Sequence, residues 1–336
     1  MSHDLPPERI PRRLSLLSVV APVYNEETTI DEFYRRTRRA IEMYPFEIVM
    51  VDDGSTDSTS ERLREIAAGD SHVRVIRLTR NFGHQAALTA GLDHAEGDAI
   101  AMIDADLQDP PEVLPQLLEH WQSGSDVVYA VRQDRQGESR FKLATASGFY
   151  RLFSALAHIK LEPNAGDFRL LDRRALDSLS TLRERNRFLR GMTVWIGYTQ
   201  TAVGFDRDPR FAGSTKFTLR KMLRFSLDAI FSFSFVPLQL ATLLGFLFSL
   251  VAFLAIPVAI AFRLAGQFVP GITTILFVVL LLGGIQLITV GIIGEYIGRV
   301  YDEVKGRPLY LVENVFAVNE GAAARTSERR EDDDSF

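Results

Sequence analysis

The sequence predicts an α/β domain built on a mostly parallel sheet, followed by a hairpin of two membrane-spanning helices. Two observations predict the domain. Short β-branched apolar runs alternate with helical patterns, and acidic clusters stand where those runs end. A third predicts the hairpin: residues 229–262 carry no charge, and after Arg263 neither do residues 264–294. Each stretch exceeds the roughly 20 apolar residues that a helix needs to cross a bilayer. Soluble helices rarely run so long without a polar stripe.

The elements follow in chain order. The leader "MSHDLPPERIPRR", residues 1–13, is polar and lacks the apolar core of a signal peptide. The domain then occupies residues 14–210. "LSLLSVVAPVY", "FEIVMVDDG", "VRVIRLTR", "DAIAMIDAD" and "DVVYAVR" read as strands. Between the early ones, "TTIDEFYRRTRRAIEMY", "STSERLREIAAG" and "HQAALTAGLDHAEG" read as helices. Residues 211–230 form a basic, aromatic segment suited to a membrane interface. The spans are expected at 231–262 and 271–295, with Pro237 and Pro257 kinking or bounding the first. Lys216, Arg220, Lys221 and Arg224 precede them, and Arg299, Lys305 and Arg307 follow, against Arg263 alone between. The positive-inside rule therefore places the domain and both termini in the cytoplasm, at the cytoplasmic membrane. Residues 296–318 follow as a cytoplasmic segment, and 319–336 as a disordered acidic tail. The chain has no cysteine, which excludes disulfides and thiolate metal sites.

In a parallel sheet, ligands bind beyond the carboxyl ends of the strands. "PVYNEE", "DDGSTD" and "DADLQD" lie at those ends. With "AMIDAD" extended, Asp104 and Asp106 point to one side. Two carboxylates so close repel unless a cation lies between them. Oxygen donors with Gln108 nearby suit Mg²⁺ or Mn²⁺ rather than zinc. Asp109, before two prolines, reads as a helix start. Asp52 and Asp53 read as one acid for a ligand and one for a tight turn, with Ser55 or Asp57 capping the next helix. Neither G-x-G-x-x-G nor a Walker sequence is present.

"VVAPVYNEE", "VDDGSTD", "RNFGHQAALTAGLDHAEGD" and "DADLQDPPE", in this order, resemble glycosyltransferase family 2 with its GT-A fold. "GESRFK", "GDFRLLDRRAL", "RFAGSTKF" and "GIIGEYIGRVYDEVKGRPLY" narrow the resemblance to membrane-anchored polyisoprenyl-phosphate glycosyltransferases of the bactoprenol glucosyltransferase type, related to dolichol-phosphate mannose synthase. It covers about residues 16–312. It implies that Pro22, Tyr24, Glu26, Asp52 and Asp104 hold the nucleotide-sugar, and that Asp104, Asp106 and Gln108 hold the metal and diphosphate. It implies Asp167 as catalytic base beside Asp106, and Arg132, Arg140, Arg210 and Lys216 as phosphate ligands. Arg169, two residues beyond Asp167, could share its charge and the phosphate. His84 reads as a structural histidine and Trp195 as core.

The implied reaction is inverting transfer of a sugar from a nucleotide-sugar, UDP-glucose first, to polyprenyl (undecaprenyl) phosphate for cell-envelope glycan modification. An oligomer is expected, and no nucleic-acid partner. A processive polysaccharide synthase would need a Q-x-x-R-W motif, which is absent. An inactive scaffold should have lost Asp104, Asp106 or Asp167.

Overall fold

The structure, a computed structural model, describes residues 11–132, 162, 165–206, 236–265 and 271–317. They fall into two units. The first takes in the described residues up to 206 and those from 308 onward; the second takes in those between 236 and 307.

The first unit is a sheet with helices on both faces. Its strands are β1 (Leu17–Val23), β2 (Phe46–Asp52), β3 (Val73–Leu78), β4 (Ala99–Met102), β5 (Val127–Arg132), β6 (Ala165–Asp172), β7 (Gln200–Phe205) and β8 (Val312–Phe316). The spatial order is β7-β5-β6-β4-β1-β2-β3-β8. β3, β2, β1 and β4 run parallel, as do β5 and β7, whereas β6 and β8 are antiparallel to their neighbours. This is the mostly parallel α/β architecture that the alternating runs predict. β1 and β2 are buried along their whole length, so they read as continuous apolar runs.

The helices are α1 (Ile30–Ile41), α2 (Thr59–Gly69), α3 (His84–His94), α4 (Leu114–Gln122), α5 (Arg173–Thr181) and α6 (Leu189–Trp195). Ile30, Phe33 and Ile41 of α1 and Leu117 and Trp121 of α4 join Leu17, Val19, Ala21 and Val23 in one core. The Trp121 indole N–H donates to Asp172 at 3.0 Å, which satisfies the polar end of a buried ring. Asp172 also caps α5 by accepting from the Arg174 N–H at 3.0 Å.

α3 lies on the opposite face, against alternate residues of β1 and β2. A Cβ on Gly91 would stand 2.3 Å from Val20 Cγ1 and 3.1 Å from Val51 Cγ2. Glycine thus sets how closely α3, which carries His84 at its start, approaches the sheet. Gly91→Ala is expected to destabilise the unit by about 1–3 kcal/mol through overpacking, despite alanine's better helix propensity of about 1 kcal/mol. A chemical melt read by tryptophan fluorescence checks this. An unchanged or raised midpoint contradicts it.

The structure departs from the sequence reading at β4, β6, β7 and β8, of which β6 falls where no strand was read. β4 ends at Met102, not at the acids. Ala105 and Asp106 form a turn, Leu107 adopts φ 59°, and Asp106 accepts from the Gln108 N–H at 3.0 Å. A buried leucine in the left-handed region is a strained backbone position, of the kind that gathers at functional sites. β7 is a half-exposed edge whose pattern is weak. β8 comes from a segment assigned no strand and covers the far edge of β3.

β8 is tied down by side chains as well as by its ladder. Arg77 pairs with Glu313 at 2.8 Å, and the Arg64 guanidinium stacks over Phe316. Just before it, the Tyr310 hydroxyl donates to Asp93 on α3 at 2.9 Å, and Arg183 meets the same carboxylate at 2.8 Å. Burial and the Asp93 charge push the Tyr310 phenol up, so it stays a donor. Tyr310→Phe removes one hydrogen bond to a charged group while leaving Asp93 paired with Arg183. Exchange of the β8 amides is expected to quicken by about 5- to 20-fold. Unchanged protection shows that the ladder alone holds the strand.

The second unit is two long helices, α7 (Val236–Leu264) and α8 (Ile272–Val304). Pro237 lies in the first turn of α7, whereas Pro257 sits inside the helix. The stretch Leu281–Val304 is long and apolar enough to cross a membrane, and Val236–Val251 is a shorter apolar stretch. α8 runs past residue 295 because charge does not stop a helix. Glu295 and Arg299 pair one turn apart at 3.0 Å, and the helix ends before Gly306, at φ 57°.

Candidate active site

The register of β4 and β6 builds the site. Met102 pairs with Arg169 in an antiparallel ladder. Two steps further along each chain bring Asp104, leaving β4, opposite Asp167, entering β6. Positions 63 residues apart in sequence thereby meet.

His84 joins them. Its Nε2 lies 3.5 Å from Asp104 Oδ1 and 3.4 Å from Asp167 Oδ2. It is the first residue of α3, and the loop before it is clipped to the sheet by Asp53, whose two oxygens accept from the Phe82 N–H at 2.7 Å and the Gly83 N–H at 2.9 Å. The next turn must approach closely: Gly54 has φ 68°, and a Cβ there would stand 2.6 Å from the Arg80 carbonyl carbon. His84 is therefore not the structural histidine expected from the sequence. It is 43% exposed and bridges two acids of the site.

The electrostatics follow from crowding. Burial raises the Asp104 pKa to about 6; His84 opposes this, while Asp167, Asp109 and Asp106 reinforce it. Burial also works against ionised Asp167, but Arg190, His84 and Arg169 outweigh it and hold that carboxyl below the usual range. Burial lowers the His84 pKa, yet Asp167 and Asp104 carry it up to about 9, so the bridge is an imidazolium at neutral pH. Asp109 does not start a helix. It is buried and takes Arg132 Nη2 at 3.2 Å, beside Gly166, where a Cβ would meet that guanidinium at 3.3 Å. Asp109 is thus already compensated by a cation.

Among the described residues, no three His, Asp or Glu side chains form a ready metal cluster. Asp104 and Asp106 could still hold a hard divalent cation through one oxygen each, with diphosphate and water completing the shell. The oxygen donor set and the mutual repulsion on Asp104 fit such an ion. Gln108 is buried beside them, and its side-chain nitrogen has no hydrogen-bond partner among the described residues.

The remaining expected residues divide. Pro22 is buried in β1 opposite Val51, and Tyr24 is exposed at that strand's end. Glu26 accepts from the Thr29 hydroxyl at 2.7 Å, and its N–H donates to Thr59 at 2.9 Å. Asp52 is buried, accepting from the Ser55 N–H at 2.8 Å and from the Ser60 hydroxyl, so in this structure it frames the loop. Asp57 accepts from the Thr59 N–H at 3.0 Å at the start of α2, whereas Ser55 accepts from Asn25. Arg169 is not open to a phosphate: it is 3% exposed and donates to Thr193 and to the Gly166 carbonyl. It reaches Asp167 through its charge alone. Trp195 is exposed, not core. Arg140, Arg210 and Lys216 lie outside the described residues.

Two further participants were not singled out in the sequence. Arg190 on α6 points Nε and Nη2 at Asp167 Oδ1, each at 3.4 Å. Gln85 donates to Asp167 Oδ2 at 3.4 Å and accepts from the Leu189 N–H at 2.9 Å. Only the fold brings "HQ" and "RFLR" to the start of β6.

Comparison with known proteins identifies the family. The sequence pattern of glycosyl transferase family 2 matches residues 18–180. The uncharacterized glycosyltransferase YkcC of Bacillus subtilis is 46% identical over 90% of this chain and 94% of its own length. The uncharacterized glycosyltransferase sll0501 of Synechocystis is 45% identical over 90% of this chain and 96% of its own. A prophage-derived bactoprenol glucosyl transferase of Shigella flexneri is 44% identical over 88% and 97%. With relatives so similar over nearly all of its length, and with the acids of the family's motifs gathered at one sheet edge, the chain is a glycosyltransferase and belongs to glycosyl transferase family 2.

Proposed function

We propose that the chain transfers a sugar from a nucleotide-sugar, UDP-glucose first, to the phosphate of a membrane-embedded polyprenyl carrier, inverting the anomeric centre. The observation that carries this reading is the junction of β4 and β6, where Asp104 and Asp167 face each other across His84. One acid belongs to a diphosphate-binding pair. The other lies where a nucleophile can approach. The names of the Shigella relatives point to the lipid carrier.

Tyr24 and Glu26 meet the base and ribose in this reading, which the family motif "PVYNEE" beyond β1 supports. Asp104 and Asp106 would hold Mg²⁺ or Mn²⁺. Bound there, the ion supplies Lewis-acid stabilisation of the departing diphosphate. His84, held between Asp104 and Asp167, offsets the repulsion among the acids. The acceptor phosphate has a second pKa of about 6, so its attacking oxygen is ionised at neutral pH and needs little proton abstraction. Cations beside Asp167 then matter more than a base.

Exposed apolar side chains along α7 and α8, among them Phe246, Phe253, Leu287 and Ile288, support burial of these helices in lipid as a hairpin. That brings the domain to the cytoplasmic surface, where a polyprenyl phosphate presents its headgroup. The test is the full chain in nanodiscs with undecaprenyl phosphate, Mn²⁺ or Mg²⁺ and a panel of nucleotide-sugars, with the lipid product identified by mass spectrometry. A glycosylated lipid phosphate is the expected product. Transfer to water or to soluble sugars alone refutes the lipid acceptor.

A further inference from the structure

Asp167 is approached by two guanidinium groups, and only one of them is at the surface. Arg169 is buried and bound to Thr193 and Gly166. Arg190 is 21% exposed. Its Nε and Nη2 face one carboxylate oxygen at 3.4 Å, beyond the roughly 2.7–2.9 Å of a closed charge-assisted hydrogen bond. Its other terminal nitrogen takes no hydrogen bond among the described residues. One edge of the guanidinium therefore faces Asp167 loosely, its face lies over the Phe188 ring at 5.9 Å, and its other edge makes no hydrogen bond among the described residues.

The backbone that carries Arg190 is fixed. Gln85 accepts from the neighbouring Leu189 N–H at 2.9 Å, and the Arg190 carbonyl accepts from the Thr193 hydroxyl at 3.1 Å. The same Gln85 amide reaches Asp167 at 3.4 Å. α3, β6 and α6 thus converge on one cation beside the acid.

A phosphate monoester carries a charge of about −1.5 to −2 at neutral pH, and an ionised carboxylate repels it. A guanidinium fork next to that carboxylate removes the repulsion and matches phosphate oxygens in pairs. We propose that Arg190 binds the attacking phosphate of the acceptor, and that Asp167 and Gln85 hold its guanidinium in place. This rests on the transfer reaction proposed above. Arg190 is then a binding residue, and Asp167 acts on the nucleophile through it, as a positioning residue.

The test uses the full chain in nanodiscs, with UDP as the donor-site probe and undecaprenyl phosphate as acceptor. For Arg190→Ala, the KM for lipid phosphate is expected to rise about 10–100-fold, with UDP affinity within about twofold of wild type. Arg190→Lys, which keeps the charge without the fork, is expected to fall between. Free guanidinium in the assay is expected to restore part of the Arg190→Ala loss. The double variant with Asp167→Asn is expected to lose much less than the product of the two single losses, because both changes break one unit. An unchanged acceptor KM overturns the proposal, and so does UDP affinity that falls as far as transfer does. A wild-type chain that turns over nucleotide-sugar but transfers nothing to any polyprenyl phosphate overturns the reaction itself.

Discussion

Asp106→Ala is expected to lower sugar transfer by at least about 10²–10³-fold, the scale seen when one electrostatic partner of a developing charge is removed, while the fold survives. The site explains both halves. Asp106 sits on a turn, half-buried, and its carboxylate makes one internal hydrogen bond, from the Gln108 N–H. Losing that bond costs about 0.5–1.5 kcal/mol, which a domain of this size tolerates. The other oxygen takes no hydrogen bond among the described residues and is available to a cation, on which a departing diphosphate depends. Asp104→Asn makes a sharper comparison. Asp104 is 37% exposed but crowded by Asp106, Asp109 and Asp167. Neutralising it in chelator-treated protein is expected to raise the melting temperature slightly while activity collapses. Stability and function then move in opposite directions at one residue, as expected where like charges are gathered for a ligand. Turnover against added Mn²⁺, together with melting curves in chelator, decides the matter. Near-normal transfer by Asp106→Ala, or full wild-type activity after exhaustive chelation, removes the metal assignment.

Asp167→Asn is expected to lose about 10²-fold or more in kcat, with a deficit that stays flat from pH 6 to 9. The sequence alone suggests otherwise: a general base should become dispensable once the acceptor phosphate is fully ionised, above its second pKa of about 6. The structure changes that expectation. Arg190 faces one oxygen of Asp167, and Gln85 and His84 face the other. The carboxyl is held below the usual carboxylate range, chiefly by Arg190 among its neighbours, so it is a poor proton acceptor near neutrality. General-base catalysis works best when the base's pKa lies near the working pH. Asparagine keeps the shape and one acceptor but removes the charge that aims Arg190 and pairs with His84. The measurement is kcat against pH for both proteins at saturating donor. A deficit that shrinks progressively above pH 7 restores the role of base.

How much of this was legible in the sequence depended on what each residue needs to be recognised. β1 to β5 were legible because buried parallel strands are continuous apolar runs, and "FEIVMVD" admits little else. Asp104 and Asp106 were legible because acids at the end of such a run demand a reason. β6 was not read as a strand: "GDFRLLD" mixes charge with apolar residues because Arg169 is a buried cation within it. Arg190 carried no local signal, and His84, though inside the "RNFGHQ" motif, carried no sign of its chemistry. A histidine before an apolar helix resembles many others, and an arginine in "RNRFLR" resembles a solvated face. Their roles arise from the antiparallel register of β4 and β6, which pairs segments distant in sequence, and no local pattern encodes a register.

β8 carries a consequence of parity. The polypeptide leaves the sheet at β7, passes through both apolar helices, and re-enters the same sheet beside β3. A folded sheet cannot be threaded through lipid, so departure and return occur on one side of any bilayer. The helical unit between them crosses an even number of times. A crossing by Leu281–Val304 would therefore need a second crossing elsewhere between β7 and β8. The catalytic domain, moreover, is not a severable headpiece. A protein cut before residue 229 loses β8 and Tyr310 and bares the edge of β3, so its failure to transfer would report a missing strand as readily as a missing anchor.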